Sequence, residues 1–507
     1  MLLPPSLEEL VPEDHLVRVI EKMIDELDLG ELEKQYKGGG TSAYHPKMML
    51  KVIIYAYTQQ TFSSRKIAKA LRENVNYMWL SGMNRPDHRT VNRFRGKIMK
   101  MVIDDVFYGI LQQLMEAGYV DMESYFVDGT KIEANANRYS YVWKKSTKRY
   151  QGKLQANVRK LLEEIDEIEA AENDKYGDKD LPEMGEGKPI DSQKLKEAAE
   201  RINQRLREKR EKKDKEKEKK FKEAKKKLEK DYIPRAVKYE NQLETLEERN
   251  SYSKTDPDAT FMRMKEDHGG RGQAKPGYNI QTGTQNQYVV GYDIHQKPGD
   301  TTCLLPHLER FREWMGEYPE VVVADAGYGS EENYDFMEQK GIRACVKYNT
   351  YHQEQKKNYK QKKPYRAENL AYDAEQDRYE CPQGKHLDYV ETITVTSRTG
   401  YVSERRVYEC QDCSQCAVKA ECTRAKGNRK IRVGPELERL KEQARIELSS
   451  PIGKRLSRKR PVEVEAVFGR LKHNWGFRRF MLRGKEKVKV EWGLLCIAHN
   501  IAKAAAH

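Results

Sequence analysis

The residues of this 507-residue chain best suited to chemistry are three scattered acids and a cluster of cysteines. In DMESYFVDGTKIE (121–133), Tyr125, Phe126 and Val127 suit a strand, and Asp128 stands in its inner or C-terminal part. VVVADAGYG (321–329) is a continuous apolar run ending in Asp325, as in a buried strand. A bare carboxylate at such a place is costly to desolvate, and a bound metal ion would offset that cost. A third acid lies in RPVEVEAVFGRLKHNWGF (460–477). On a regular helix Glu463 and Glu465 point about 200° apart, whereas Glu465 and Lys472, about two turns apart, share a face. Phosphodiester chemistry asks for such acids at one sheet edge. Two divalent ions about 3.5–4 Å apart activate the nucleophile and stabilise the leaving oxygen, and Mg²⁺ prefers carboxylates. Taken singly, either aspartate also reads as a cap or turn acid, and Glu465 with Lys472 as an ordinary exposed pair.

The cysteines are unevenly spread. CPQGKH (381–386) is followed by YECQDCSQCAVKAEC (408–422), while Cys303, Cys345 and Cys496 stand apart as small core residues. Cys413-x2-Cys416 with Cys422 and the distant Cys381 makes a tetrahedral Cys₄ set for a structural Zn²⁺. Cys410 offers equally good spacing, and His386 could replace one ligand. No thioredoxin-like context surrounds the CxxC, so a redox role is not expected. Arg424, Lys426, Arg429, Lys430 and Arg432 follow closely.

These residues need a scaffold, and the chain is long enough for three or more units. Residues 1–120 read as helical. HPKMMLKVIIYAYTQQ starts with a proline near a helix N-terminus; Ser63 or Ser64 can cap the next helix, and Asp87 the one after. Short helix, turn and basic helix together resemble a helix-turn-helix, with Arg93 and Arg95 on the basic element. Residues 121–137 and 256–350 alternate strands with helices, which implies a mixed α/β sheet. Between them, 138–255 reads as a charged helical insertion. Leu154, Val158, Leu161, Ile165 and Ile168 step as a heptad seam, matched by Leu195, Ala199, Ile202 and Leu206, so an antiparallel helical hairpin is expected. Residues 205–230 carry 15 Lys or Arg against 7 Asp or Glu, which is a solvated face, a DNA-contacting arm or a dimer strut. A cysteine-rich insertion covers 351–445, and 446–507 closes the core with the glutamate-bearing helix. A net charge of +14 favours a polyanionic partner such as nucleic acid. No run of about 18 apolar residues occurs, and MLLPPSLEELVPEDH lacks a basic signal-peptide start, so a cytoplasmic protein with no membrane partner is expected.

The blocks VDGTKIEANAN, GYNIQ, VVADAGYGSEENY and VEAVFGRLKHNWGFRRFMLRG resemble those of DDE transposases of bacterial insertion sequences, in particular a subgroup with a CP-G-K and C-x-x-C insert. HPKMMLKVIIYAY and PDHRTVNRFR resemble the N-terminal domain of the same family. The resemblance implies a ribonuclease-H-like core, catalytic Asp128, Asp325 and Glu465, and two Mg²⁺ or Mn²⁺ ions. It implies cleavage of double-stranded DNA at the element's terminal repeats, joining of the 3′-hydroxyl to target DNA, and a homodimer assembled on DNA in the bacterial nucleoid. In the family's Y-x2-R-x3-E-x6-K signature Lys472 fills the lysine position and would contact a phosphate. Arg458 and Pro461 stand where tyrosine and arginine are expected, leaving Arg458 and Arg460 to serve instead. Arg478 and Arg479 complete the basic set for DNA. Two other readings use the same residues: a structure-specific nuclease that cuts without joining, and a domesticated DNA-binding protein without catalysis. The second would lack one of the acids, and all three are present.

Overall fold

The computed structural model describes residues 6–34, 36, 44–176, 191–208, 215–264 and 274–506. They fall into two compact units, one of residues 1–135 and 278–507 and the other of 136–277. No helix among the described residues is long and apolar enough to cross a membrane.

The first unit is built on a mixed sheet. Its strands run in the order Tyr288–His295, the 278–285 part of Ala274–Gln285, Tyr125–Glu133, Val321–Gly329 and Arg343–Tyr348. The first two form an antiparallel hairpin whose tip is Asn286 and Gln287, both at positive φ, the pairing geometry of a two-residue turn. The last three are parallel, with Tyr125 opposite Val322 and Val321 opposite Arg343. Val321–Ala324 is buried, as expected for a parallel strand covered on both faces. The parallel ladder is interrupted between Ala324 and Gly329, so Asp325 to Tyr328 leave the regular register.

The N-terminal helices belong to the same unit as the sheet. Pro46 opens Pro46–Thr58, which is buried almost all round. Asp87 caps His88–Arg93 through the Thr90 amide at 2.7 Å, as its position suggested. Ser63 stands at the start of Ser64–Glu73 without a side-chain capping bond. The closing helix Lys485–Ala504 packs against Pro46–Thr58, Met99–Glu116 and the strand Tyr288–His295, and so ties the helical block to the sheet.

The cysteine-rich segment folds as a second, antiparallel sheet in the order Lys430–Val433, Val402–Cys410, His386–Thr396, Arg378–Glu380 and Ala371–Asp373. Its small core gathers Leu387, Tyr408, Cys410, Cys413 and Ile431. Pro435–Ser449 then returns the chain to the main sheet beside Arg343–Tyr348.

The second unit corrects the helical hairpin. Lys144–Tyr176 and Ser192–Glu208 are joined by a third rod, Lys215–Lys227, which passes through a widened turn at Leu228–Tyr232 into Ile233–Leu246. Leu154, Val158, Leu161 and Ile165 pack with Leu195, Ala199 and Ile202, and also with Phe221, Ala224, Leu228, Tyr232, Ala236 and Tyr239 of the third rod. That seam hides in the sequence because lysine and glutamate surround each apolar residue. The side chains of Ile168 and Leu206 lie outside the described residues. A short ribbon of Tyr141–Trp143 and Ser251–Ser253 closes this unit.

Candidate active site

Asp128 lies on the central strand, and its carboxylate accepts from the Gly129 amide at 2.8 Å. Asp325 lies on the neighbouring strand where the ladder breaks, accepting from the Gly327 amide at 2.8 Å. Glu465 follows the basic helix Pro451–Arg460. The three meet on one guanidinium. Arg460 Nη2 is 2.9 Å from Asp128 Oδ2 and 3.6 Å from Asp325 Oδ2, and Nη1 is 3.4 Å from Glu465 Oε1. Because one nitrogen serves both aspartates, their oxygens are no farther apart than those two distances laid end to end. The cluster grades outward: the Asp128 side chain is 10% exposed, Asp325 42% and Glu465 58%. One wall is therefore buried and the other open to a large substrate.

The helix carrying Glu465 is not regular. Pro461 cannot donate a backbone hydrogen bond, and two widened turns interrupt the helix, at Pro461–Glu465 and Arg470–Asn474. Counting 3.6 residues per turn therefore misplaces the side chains beyond Pro461. Glu463 is the buried glutamate of the pair, but its Oε2 accepts from the Gln287 amide at 2.7 Å, at the hairpin tip. Glu465 is the one beside Arg460. Lys472 does not share its face: it is buried, and Nζ donates to Thr130 Oγ1 at 2.9 Å, two residues from Asp128. In this arrangement it steadies the strand of Asp128 from inside and presents no charge to a phosphate.

The other expected DNA contacts divide. Arg95 is buried and donates to Tyr57 Oη at 3.0 Å and the Phe62 carbonyl at 2.7 Å, near the buried Glu491. It is a core residue, which corrects the expectation that it meets DNA. Arg93 is exposed in a groove with Arg65, His88, Arg89, Lys97 and Lys487. Arg458 lines a groove with Lys454, Arg455 and Lys459, and these four make no ion pair among the described residues. Arg478 and Arg479 are exposed where the chain docks on the end of the Asp128 strand, with Phe480 N bonded to the Glu133 carbonyl at 2.9 Å.

The sequence reading overlooked Lys347, which faces Asp325 and Arg460 from the edge strand. Burial first, and then Arg460, holds its ammonium below the usual lysine range, while Asp325 opposes the shift. Its position at the end of the strand beside Asp325 was the available signal.

Among the described residues no group of three or more His, Cys, Asp or Glu stands ready to hold a metal ion. Among the acids, Arg460 stands between the three carboxylates. The donor set itself, three carboxylates around one cation, suits a hard divalent ion. The expected zinc set is likewise not gathered. Burial first, and then the neighbouring Cys413 thiol, pushes the Cys410 thiol up to about 11. Arg429 Nη1 lies 3.4 Å from Cys422 Sγ. The Lys385 and Arg429 amides do point at Cys381 Sγ and Cys413 Sγ, at 3.4 and 3.5 Å, as amides do around thiolate ligands.

Residues 380–505 match a family model described as a transposase DDE domain, and residues 5–97 match one described as a transposase domain (DUF772). The first match includes Glu465 and the clustered cysteines and begins after Asp128 and Asp325; the second includes Arg93 and the other named residues of its groove except Lys487. No curated protein matches the chain.

Proposed function

Because the chain belongs to the DDE transposases of insertion-sequence type, we propose that it cuts double-stranded DNA at the ends of an insertion sequence and joins the freed 3′-hydroxyls to target DNA, with Asp128, Asp325 and Glu465 as its catalytic acids. The observation that carries this reading is the convergence of these three carboxylates on Arg460. The strand order supports a ribonuclease-H-like core, with the antiparallel hairpin on one side of the Asp128 strand and the parallel pair on the other.

The reaction is two displacements at phosphorus. Water attacks first and the 3′ oxygen leaves with a proton; that hydroxyl then attacks a target phosphodiester, whose own 3′ oxygen leaves. Two Mg²⁺ or Mn²⁺ ions held by Asp128, Asp325 and Glu465 would supply an activated nucleophile and a stabilised leaving oxygen. Arg460 is the protein cation nearest the three acids, and Lys347 adds a second positive charge beside Asp325. Lys454, Arg455, Arg458 and Lys459, without ion pairs among the described residues, lead the backbone toward Glu465. The groove of Arg65, Arg89, Arg93, Lys97 and Lys487 takes a second stretch of duplex. Two ends must be cut together, so the working form is a dimer on DNA.

The test is an in vitro reaction of the full chain with duplexes carrying the DNA that flanks its own coding sequence, in Mn²⁺ or Mg²⁺. Nicked ends and joined products are expected, and Asp128→Asn, Asp325→Asn and Glu465→Gln each abolish both while leaving duplex binding intact. Cutting without joining would favour the structure-specific nuclease. Full cleavage by Glu465→Gln, with loss in Glu463→Gln, would remove Glu465 from the site.

A further inference from the structure

Asp325 to Tyr328 have no regular ladder partners, since pairing with Arg343–Tyr348 stops at Ala324 and resumes only at Gly329 opposite Tyr348. Yet this excursion carries a carboxylate whose place relative to Asp128 matters. What holds it is a polar cluster behind the acids. The Tyr328 hydroxyl, fully buried, donates to Gln281 Oε1. Gln281 Nε2 donates to Asn279 Oδ1 at 3.2 Å and to Asp300 Oδ1 at 3.1 Å. Asn279 Nδ2 donates to the same Asp300 oxygen at 2.8 Å and to the Lys297 carbonyl at 3.2 Å. Thr301, next to Asp300, donates to the Gly327 carbonyl at 2.6 Å, and Asn333 Nδ2 joins the Thr301 and Tyr328 carbonyls at 2.9 and 2.7 Å.

The same cluster presses on the Asp128 strand. A Cβ on Gly129 would overlap Asp300 Oδ1 and come within 2.6 Å of Gln281 Nε2. A Cβ on Gly327 would come within 2.9 Å of Asp325 Oδ1. The residue after Asp128 and the residues after Asp325 therefore rest on one set of side chains. Asn279 and Gln281 show no exposure at all, and their amide groups are used inside the cluster. A buried amide with these bonds is held in one orientation, since breaking any of them leaves a polar group unsatisfied.

We propose that Asn279, Gln281, Asp300 and Tyr328 form a positioning clamp that fixes the separation of Asp128 and Asp325, and with it the affinity of the acids for a divalent cation. The inference rests on the assignment of Asp128, Asp325 and Glu465 as catalytic acids and gives the GYNIQ block a physical task. None of the four touches substrate; they act through the two aspartates. The clamp stands in for the strand ladder where it breaks between Ala324 and Gly329, with side chains from two other segments, so the spacing survives the break.

Mn²⁺ binding to the full-length protein, followed by the electron paramagnetic resonance of the free ion, tests the clamp without reliance on activity. Tyr328→Phe removes one buried hydroxyl and should weaken Mn²⁺ binding about tenfold, as loss of a group supporting metal ligands commonly does. It should raise the Mn²⁺ needed for half-maximal end cleavage by a similar factor and leave duplex binding unchanged. Asp300→Ala should do the same, and Asp300→Asn, which still offers the amides an oxygen, should recover most of the loss. Unchanged Mn²⁺ affinity in Tyr328→Phe would overturn the clamp even if the melting temperature falls, because the cluster would then serve stability alone. Asp128→Asn separates the clamp from the catalytic assignment. If it loses Mn²⁺ binding and cleavage while Tyr328→Phe shifts nothing, only the clamp fails; if it keeps both, the catalytic assignment itself falls.

Discussion

Mild acid should loosen the first unit, and two buried histidines set the size of the effect. His307 shares its Nε2 with the Tyr125 hydroxyl at 2.8 Å, and His499 shares its Nε2 with the Gln287 carbonyl at 2.8 Å. In both rings Nδ1 has no partner among the described residues, so a second proton would find no acceptor there. Burial lowers each from 6.5 to about 4. Around His307, Asp293 opposes the shift while His295 and Arg310 add to it; around His499, Arg470 and Lys503 add to it. A depressed pKa means that the unfolded chain binds the proton more readily. Each histidine then contributes about 3 kcal/mol that is fully present above the unfolded value and is lost as pH falls from 6.5 toward 4. Between about pH 7 and about pH 5 the loss is roughly 2 kcal/mol per ring. Glu491 acts the other way. Burial raises it from 4.5 to about 6 despite Arg95 and the Met481 and Leu482 amides, so over the same window it returns only about 1 kcal/mol. The histidines win by roughly 3 kcal/mol, a large part of the about 5–15 kcal/mol that holds a typical fold. Urea unfolding followed by the fluorescence of the buried Trp475 and Trp492 measures it. The midpoint should fall on acidification, and in the double variant His307→Gln with His499→Gln the dependence should change sign because Glu491 remains. An unchanged midpoint in the parent chain, or the same fall in the double variant, would refute the reasoning.

The amides aimed at Cys381 and Cys413 motivate uptake of one zinc ion per chain, with Cys381, Cys413 and Cys422 joined by Cys410 or Cys416. Elemental analysis of purified protein should find it, and Cys410→Ser against Cys416→Ser identifies the fourth ligand; protein free of zinc would sink the idea. Replacing Lys454, Arg455, Arg458 and Lys459 with Gln should lower the salt dependence of duplex binding, by about 0.9 in log–log slope for each phosphate released. A slope equal to that of the parent chain would show that this groove carries no DNA.

How much of this could be read from residues alone depended on whether local periodicity was intact. Asp128 and Asp325 were visible because each ends or interrupts an apolar run, and a charged group there is conspicuous. Asp87 was visible because a cap acts within three residues of itself. The third rod of the helical unit was not, since Phe221, Ala224 and Leu228 sit among lysines whose charge dominates any reading of composition. Arg95 looked like a DNA contact for the converse reason: it stands in a basic run, and only the tertiary fold reveals that Tyr57, Phe62 and Glu491 surround it.

The glutamate-bearing helix shows the limit most clearly. A regular helix sets Glu465 and Lys472 on one face and makes the inward residue of the Glu463 and Glu465 pair the ligand. Pro461 and the two widened turns break that count, so Lys472 turns inward to Thr130, and the buried Glu463 is spent on a hairpin amide. Burial is then the wrong criterion for the third acid. On the proposed function the third acid meets a metal ion and a duplex together and so must be accessible before DNA arrives, a condition that the exposed Glu465, beside Arg460, meets. The irregular turn displaces a carboxylate from the core into an open crevice, as widened turns at functional sites often do. The same logic applies to Asp325, which stands where its strand leaves the ladder. Both acids on the open wall of the site sit at a local break in secondary structure, and Asp128, on an unbroken strand, forms the closed wall.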